Sequence, residues 1–110
     1  MILALLGQIA DLVRFFRLLT TGAIVSPDSY ALMATPTTLP NATVVAYGFG
    51  LDLHTEGARQ TVGHDGLIRG FQSVVIHYPA EHLTVAVLVN RNGSGVASLI
   101  LGDVVSKILK

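Results

Sequence analysis

The chain has 110 residues, enough for one small domain with a single core. Seven basic and seven acidic residues cancel, so no electrostatic footprint for nucleic acid exists. Charged residues make up only 13% and hydrophobic ones 51%, against roughly a quarter charged in an ordinary soluble domain.

Such sparse polar cover fits a membrane protein, a chain that buries surface against another chain, or a piece of something larger. The membrane reading fits poorly. The apolar run Met1–Leu6 is too short to span a bilayer, and Asp11, Arg14 and Arg17 follow it. The run also lacks the basic start and cleavage site of a signal peptide. With no cysteine, disulfides and thiolate chemistry are excluded. No repeat, low-complexity segment or interdomain linker is visible.

Helical periodicity places a first helix over Gln8–Thr21. Ile9, Leu12, Val13, Phe16 and Leu19 share one face, and Asp11, Arg14 and Arg17 the other. Phe15 and Leu18 widen the apolar stripe, and Gly22 is placed to end the helix. Ser26-Pro27-Asp28 reads as a serine cap followed by proline at the first helical position, opening a short helix to about Met33. Thr35–Asn41, with Pro36 and Pro40, reads as an extended connection.

From Thr43 the pattern changes to strands. Val44–His54 reads as one strand, in which apolar residues alternate from Val45 with Ala46, Gly48, Gly50 and Asp52. His54–Gly57 is read as a short hairpin connection, and Ala58–His64 as the returning strand. Gly70–Tyr78 is a third strand, with Phe71, Ser73, Val75 and His77 on one face and Gln72, Val74, Ile76 and Tyr78 on the other. After a turn at Pro79, Leu83–Val89 is nearly all apolar, as a central strand covered on both faces would be. Short connections imply an antiparallel meander. A last helix runs over Ser94–Leu109, with Val96, Leu99, Ile100, Val104 and Ile108 on one side and Lys107 and Lys110 at its end. The expected architecture is α+β: about four antiparallel strands with N- and C-terminal helices packed on them. One domain is expected over 1–110, divided into a helical segment at 7–42, strands at 43–90 and the final helix at 94–109.

The chemistry-bearing stretch is Thr61–Phe71. Gly63 and Gly66 bracket His64 and Asp65, and Gly70 closes the segment. Glycines within a strand mark a bulge or a close backbone approach. From these residues alone, a substrate-facing strand and a hairpin with a surface histidine both stand.

The order of parts resembles a known family. Tyr47-Gly48-Phe49-Gly50-Leu51, then Gly63-His64-Asp65-Gly66, then Gly70-Phe71-Gln72-Ser73, a proline turn, Val85–Asn90 and a closing helix are similar to the C-terminal part of the serine β-lactamase-related family. That family includes class C β-lactamases, D-alanyl-D-alanine peptidases and penicillin-binding esterases. Ala10–Phe15 with Leu18–Gly22 and Ser26-Pro27 resembles the segment just upstream. The resemblance implies a partial β-lactamase/transpeptidase-like fold. It also implies that His64-Asp65-Gly66 occupies the family's third motif, Lys-Thr-Gly or His-x-Gly, on the strand lining the catalytic cleft.

Carried over by position, His64 would support substrate or proton transfer, and Gly66 would admit the substrate backbone. The Leu67 N–H would be one of two oxyanion donors, worth roughly 3–4 kcal/mol in serine hydrolases. Tyr47, Asp65 and Arg69 are candidate substrate contacts. For each a bland role stands beside this one: a packed tyrosine, a solvent-facing carboxylate and a solvated arginine. The implied substrate is a small acyl compound, a β-lactam, D-Ala peptide or ester, with no cofactor. The residues leave location open; the same resemblance implies a periplasmic or secreted one.

Two of the family's three motifs are missing. Its serine attacks an acyl carbon while the lysine of Ser-x-x-Lys takes the proton. Ser26, Ser29, Ser73, Ser94, Ser98 and Ser106 are followed three places on by Ser29, Leu32, Ile76, Ala97, Leu101 and Leu109. Two places before Asn41, Asn90 and Asn92 stand Leu39, Leu88 and Asn90, so Tyr-x-Asn and Ser-x-Asn are absent too. The expectation is a C-terminal fragment, inactive alone, whose strand Leu83–Val89 exposes one edge. That edge would pair with another copy or with a complementary N-terminal fragment. The alternative is a non-catalytic, oligomerising interaction module. A metal site from His54, His64, His77 and His82 matches no zinc spacing, and no metal is expected. Ser73 is read as a structural hydroxyl, not as a nucleophile paired with His64.

Overall fold

The computed structural model describes residues 8–93 and 95–109. The predicted Met1–Leu6 run lies outside them.

Helix α1 spans Ile9–Thr20. The Gln8 N–H donates to Asp11 Oδ2 at 3.1 Å, which places a negative charge at the positive end of the helix. The Thr20 and Thr21 hydroxyls donate to the Phe16 and Arg17 carbonyls at 2.9 and 2.7 Å. They satisfy part of the last turn, and Gly22 follows with φ 85°. Phe16 and Leu19 are buried, and Leu12 and Val13 half-buried. The widening residues Phe15 and Leu18 stay exposed. Helix α2 spans Pro27–Met33, with Ser26 Oγ accepting from the Ser29 N–H at 3.1 Å.

Strands β1 (Thr37–Thr38) and β2 (Val44–Val45) form a small antiparallel pair. The expected single strand over Val44–His54 is instead broken. Between β2 and β3 (Asp52–Glu56) the chain turns, the Gly48 N–H donating to the Leu51 carbonyl at 2.9 Å. The Phe49 N–H donates to the carbonyl of Met33, in the last turn of α2, at 3.1 Å. A side chain on Gly48 would put its Cβ 1.8 Å from that same carbonyl oxygen. Gly48, read as an alternating strand position, thus serves a close docking of loop on helix, and Gly50 turns the chain with φ 75°.

β3 runs on through Glu56, so the hairpin turn is Gly57-Ala58, and β4 extends over Arg59–Ile68. β5 (Phe71–Tyr78) and β6 (Leu83–Val89) complete a four-stranded antiparallel sheet in the order β3-β4-β5-β6. The meander is as expected. β6 is not central, as its apolar run suggested, but lies at the edge, as the fragment reading expected, and its residues are mostly half-buried. Its apolar run reflects helices on both of its faces, since α1 and α3 (Val96–Ile108) both pack against it.

Pairing register separates the two faces. Val62, His64, Ser73, Val75 and Ala86 share one. Phe16 and Leu19 of α1 close over it, forming the core with Leu51, Val62 and Val75. The other face carries Gln72 and Tyr78, both buried. Gln72 Oε1 accepts from the Val96 and Ala97 N–H groups at 3.2 and 3.3 Å, and its Nε2 donates to the Arg91 carbonyl at 3.2 Å. This side chain caps α3 from the sheet. It also decides which side of α3 faces inward: Ala97 and Leu101 are buried, whereas the expected face residues Leu99, Ile100, Val104 and Ile108 are exposed. Ser98, Asp103, Ser106 and Lys107 gather on the side away from Ala97 and Leu101, so the polar residues mark the outward face that the apolar spacing alone misplaces.

Candidate active site

The site forms where β3 stops and β4 continues. The two-residue turn Gly57-Ala58 makes Glu56–Arg59 a hydrogen-bonded pair, and alternation repeats this at His54–Thr61 and Asp52–Gly63. Odd-numbered residues of β4 therefore direct their main-chain groups toward β3. Even-numbered ones face β5, in agreement with the pairs Gly66–Ser73 and Ile68–Phe71. β3 begins at Asp52, so beyond Gly63 the main chains of Asp65 and Leu67 point to a side with no strand on it among the described residues.

His64 fills this corner. Its Nδ1 lies against the main-chain carbonyl of Asp65. A carbonyl only accepts, so Nδ1 carries the proton and Nε2 the lone pair. The Tyr47 hydroxyl reaches that Nε2 at 3.1 Å, and the two rings meet edge to face, centroids 6.0 Å apart. Tyr47 is set there by the Gly48 turn and by its bridge to Asp52. A shallow recess of about 330 Å³ opens beside the pair. Phe15 and Phe16 of α1 wall one side, and Phe49, Leu51, His64 and Ser73 the other. The arrangement offers an imidazole with one fixed tautomer, a phenol in contact with it, and an unpaired strand edge beside an apolar hollow.

The model of the Beta-lactamase family matches residues 4–107. The chain belongs to the Beta-lactamase family. Among curated relatives, a D-aminopeptidase of Brucella anthropi is 33% identical over 64 residues, 58% of this chain and 12% of that protein. A D-aminopeptidase of Gluconobacter oxydans is 35% identical over 66 residues, 59% of this chain and 13% of that protein. One from Cereibacter sphaeroides is 33% identical over 69 residues, 63% of this chain and 13% of that protein. The chain thus spans about an eighth of the length of the relatives it matches.

Within this Beta-lactamase-family chain, Tyr47, His64 and Asp65 come together. Gly66 lies beside them with Ser73 opposite; a Cβ on it would sit 2.7 Å from Ser73 Oγ. Ser73 lines the recess with His64, but no hydrogen bond joins the two among the described residues. The Leu67 side chain is exposed, with its N–H on the side that β3 leaves vacant. Arg69 stands in the exposed Arg69-Gly70 turn, away from the recess lining. His54 lies on β3 and His82 in the β5–β6 turn. His77 Nδ1 meets Thr84 Oγ1 at 2.9 Å, and burial followed by the nearby His82 lowers its pKa.

Sequence reasoning missed Asp52 and Phe49 at the site. The alternation over Val44–His54 makes both ordinary positions of one long strand. The signal was the Gly48-Phe49-Gly50 run, which marks a turn as well as a strand.

Proposed function

We propose that this chain forms the C-terminal wall of a serine-hydrolase cleft acting on a small acyl substrate, a β-lactam, a D-amino-acid peptide or a short ester. The observation that carries this reading is the Tyr47–His64 contact of 3.1 Å at the unpaired end of β4, in a chain of this family. The substrate carbonyl would lie along that strand end, its oxygen taking the Leu67 N–H as oxyanion donor. His64 would hold the substrate or pass a proton through Nε2, with Tyr47 fixing the ring. The recess would take an apolar substituent.

No Ser-x-x-Lys is present in these 110 residues, so the attacking serine must come from another polypeptide segment and the chain alone is inactive. The relatives' name adds D-amino-acid amides to the substrate panel. The test is hydrolysis of a chromogenic cephalosporin, a short-chain nitrophenyl ester and D-alanine p-nitroanilide. The chain is assayed alone and after co-refolding with an N-terminal segment of a relative that carries Ser-x-x-Lys. Expected is no turnover alone, and turnover in the complemented sample that falls at least tenfold in His64→Ala. Turnover by the isolated chain, lost in His64→Ala, would refute the missing-nucleophile argument.

A second reading, an oligomerising interaction module, is favoured by β6. Its outer edge has no strand partner among the described residues, and it lies in an open groove of about 840 Å³ between Ile9–Thr21 and Val104–Ile108. Such an edge pairs readily with another strand. Sedimentation velocity distinguishes the cases: a dimer at micromolar concentration supports pairing between copies, and a compact monomer at high concentration removes it.

A further inference from the structure

The corner that holds His64 contains a donor set of which the hydrolase reading uses His64 alone. One ligand atom from each of Asp52, His64 and Asp65 lies within 4.8 Å of the other two. We propose that these three side chains form a binding site for a divalent transition cation of the zinc class. Ligands bonded at 2.0–2.2 Å to a tetrahedral ion sit about 3–4 Å from one another, so modest side-chain rotation closes the set. Two carboxylates balance the charge of the ion. The imidazole selects a borderline transition metal over magnesium or calcium, which favour oxygen alone.

Two features prepare the site. The Asp65 carbonyl holds Nδ1–H, the kind of contact that orients a metal-binding imidazole and leaves Nε2 with its lone pair. Asp52 is the first residue of β3, held opposite Gly63 by strand pairing, so its carboxylate stands at the strand end beside the His64 corner. The Tyr47 hydroxyl reaches the same Nε2. Cation binding and the Tyr47–His64 hydrogen bond are therefore alternatives, and the ion withdraws His64 from its phenol partner. Three protein ligands leave at least one coordination position for water.

The test uses the full chain, titrated with zinc chloride by calorimetry and with cobalt(II) by visible absorption. Expected are one equivalent bound and cobalt bands of low coordination number. Asp52→Asn and His64→Ala should each weaken zinc at least about tenfold, within the range for loss of a supporting group at a metal site. Asp65→Asn, a change at an exposed position, serves as the second carboxylate variant should Asp52→Asn fail to fold by circular dichroism. Tyr47→Phe should bind zinc as tightly or more tightly, and His77→Gln combined with His82→Gln should bind it unchanged. No heat at millimolar zinc, or equal affinity in the wild type and the site variants, overturns the proposal. So does loss of binding in the His77/His82 double variant. Neither readout depends on hydrolysis, so failure here is separate from failure of the hydrolase reading.

Discussion

The two halves of β4 lie on one strand and differ in almost everything else. Thr61, Val62 and Gly63 are buried, with β3 on one side and β5 close on the other, while His64 through Ile68 are exposed. The change falls between two adjacent residues because β3 begins opposite Gly63. Up to that point β4 is paired with β3, and Val62 packs into the core under α1. Past it, β4 has no partner on the β3 side among the described residues, and His64 and Asp65 border a recess. Stability and chemistry are separated by the end of a neighbouring strand.

The largest effect that would break this comparison is Gly63→Ala. Its Cβ would lie 2.2 Å from the Val75 carbonyl oxygen, a backbone atom that cannot yield without parting β4 from β5. A loss of about 3 kcal/mol or more is expected by urea denaturation, or failure to fold. Phe16→Ala, opening the core beside Val62 and Val75, is expected to cost about 3–5 kcal/mol. Gln72→Leu removes the acceptor for two helix N–H groups. About 2 kcal/mol is expected, together with faster amide exchange at Val96 and Ala97.

His77 gives a smaller effect that depends on pH. Its pKa is lowered from 6.5, first by burial and then by His82, so the fold favours the neutral ring. The associated stability is fully present above pH 6.5 and lost as the pH falls below it. His77→Gln should flatten the dependence of the urea midpoint on pH in that acidic window. The smallest effect belongs to the exposed half: His64→Ala should change stability by no more than about 0.5 kcal/mol. A loss as large as that of Phe16→Ala would show that His64 belongs to the core and would erase the distinction between the halves.

Much of the fold was legible because local rules coincided with it. The stripe Leu12–Phe16–Leu19, the Ser26-Pro27 start and the alternation in Phe71–Tyr78 each fix an element with little outside help. The errors occurred where local rules are silent. Val44–His54 alternates well enough to be a strand, and only the Met33 carbonyl, sixteen residues before Phe49 in the chain but hydrogen-bonded to it in space, explains why Gly48 turns. The apolar run of β6 could not distinguish two neighbouring strands from two covering helices. At the site, His64, Tyr47 and Asp65 were legible through glycine spacing and family likeness. Asp52 was not, because its role depends on where β3 ends.

By itself, then, the sequence determined the helices, the antiparallel meander, the family and the absence of a Ser-x-x-Lys nucleophile, because these follow from periodicity, turn residues and motif order. Only the tertiary structure decided that the chain turns at Gly48, that Gln72 caps α3, and that Asp52 joins His64. Each of those depends on partners distant in the chain: a carbonyl of α2 that leaves no room for a side chain, a glutamine that meets two helix N–H groups, and a strand end that leaves a corner open.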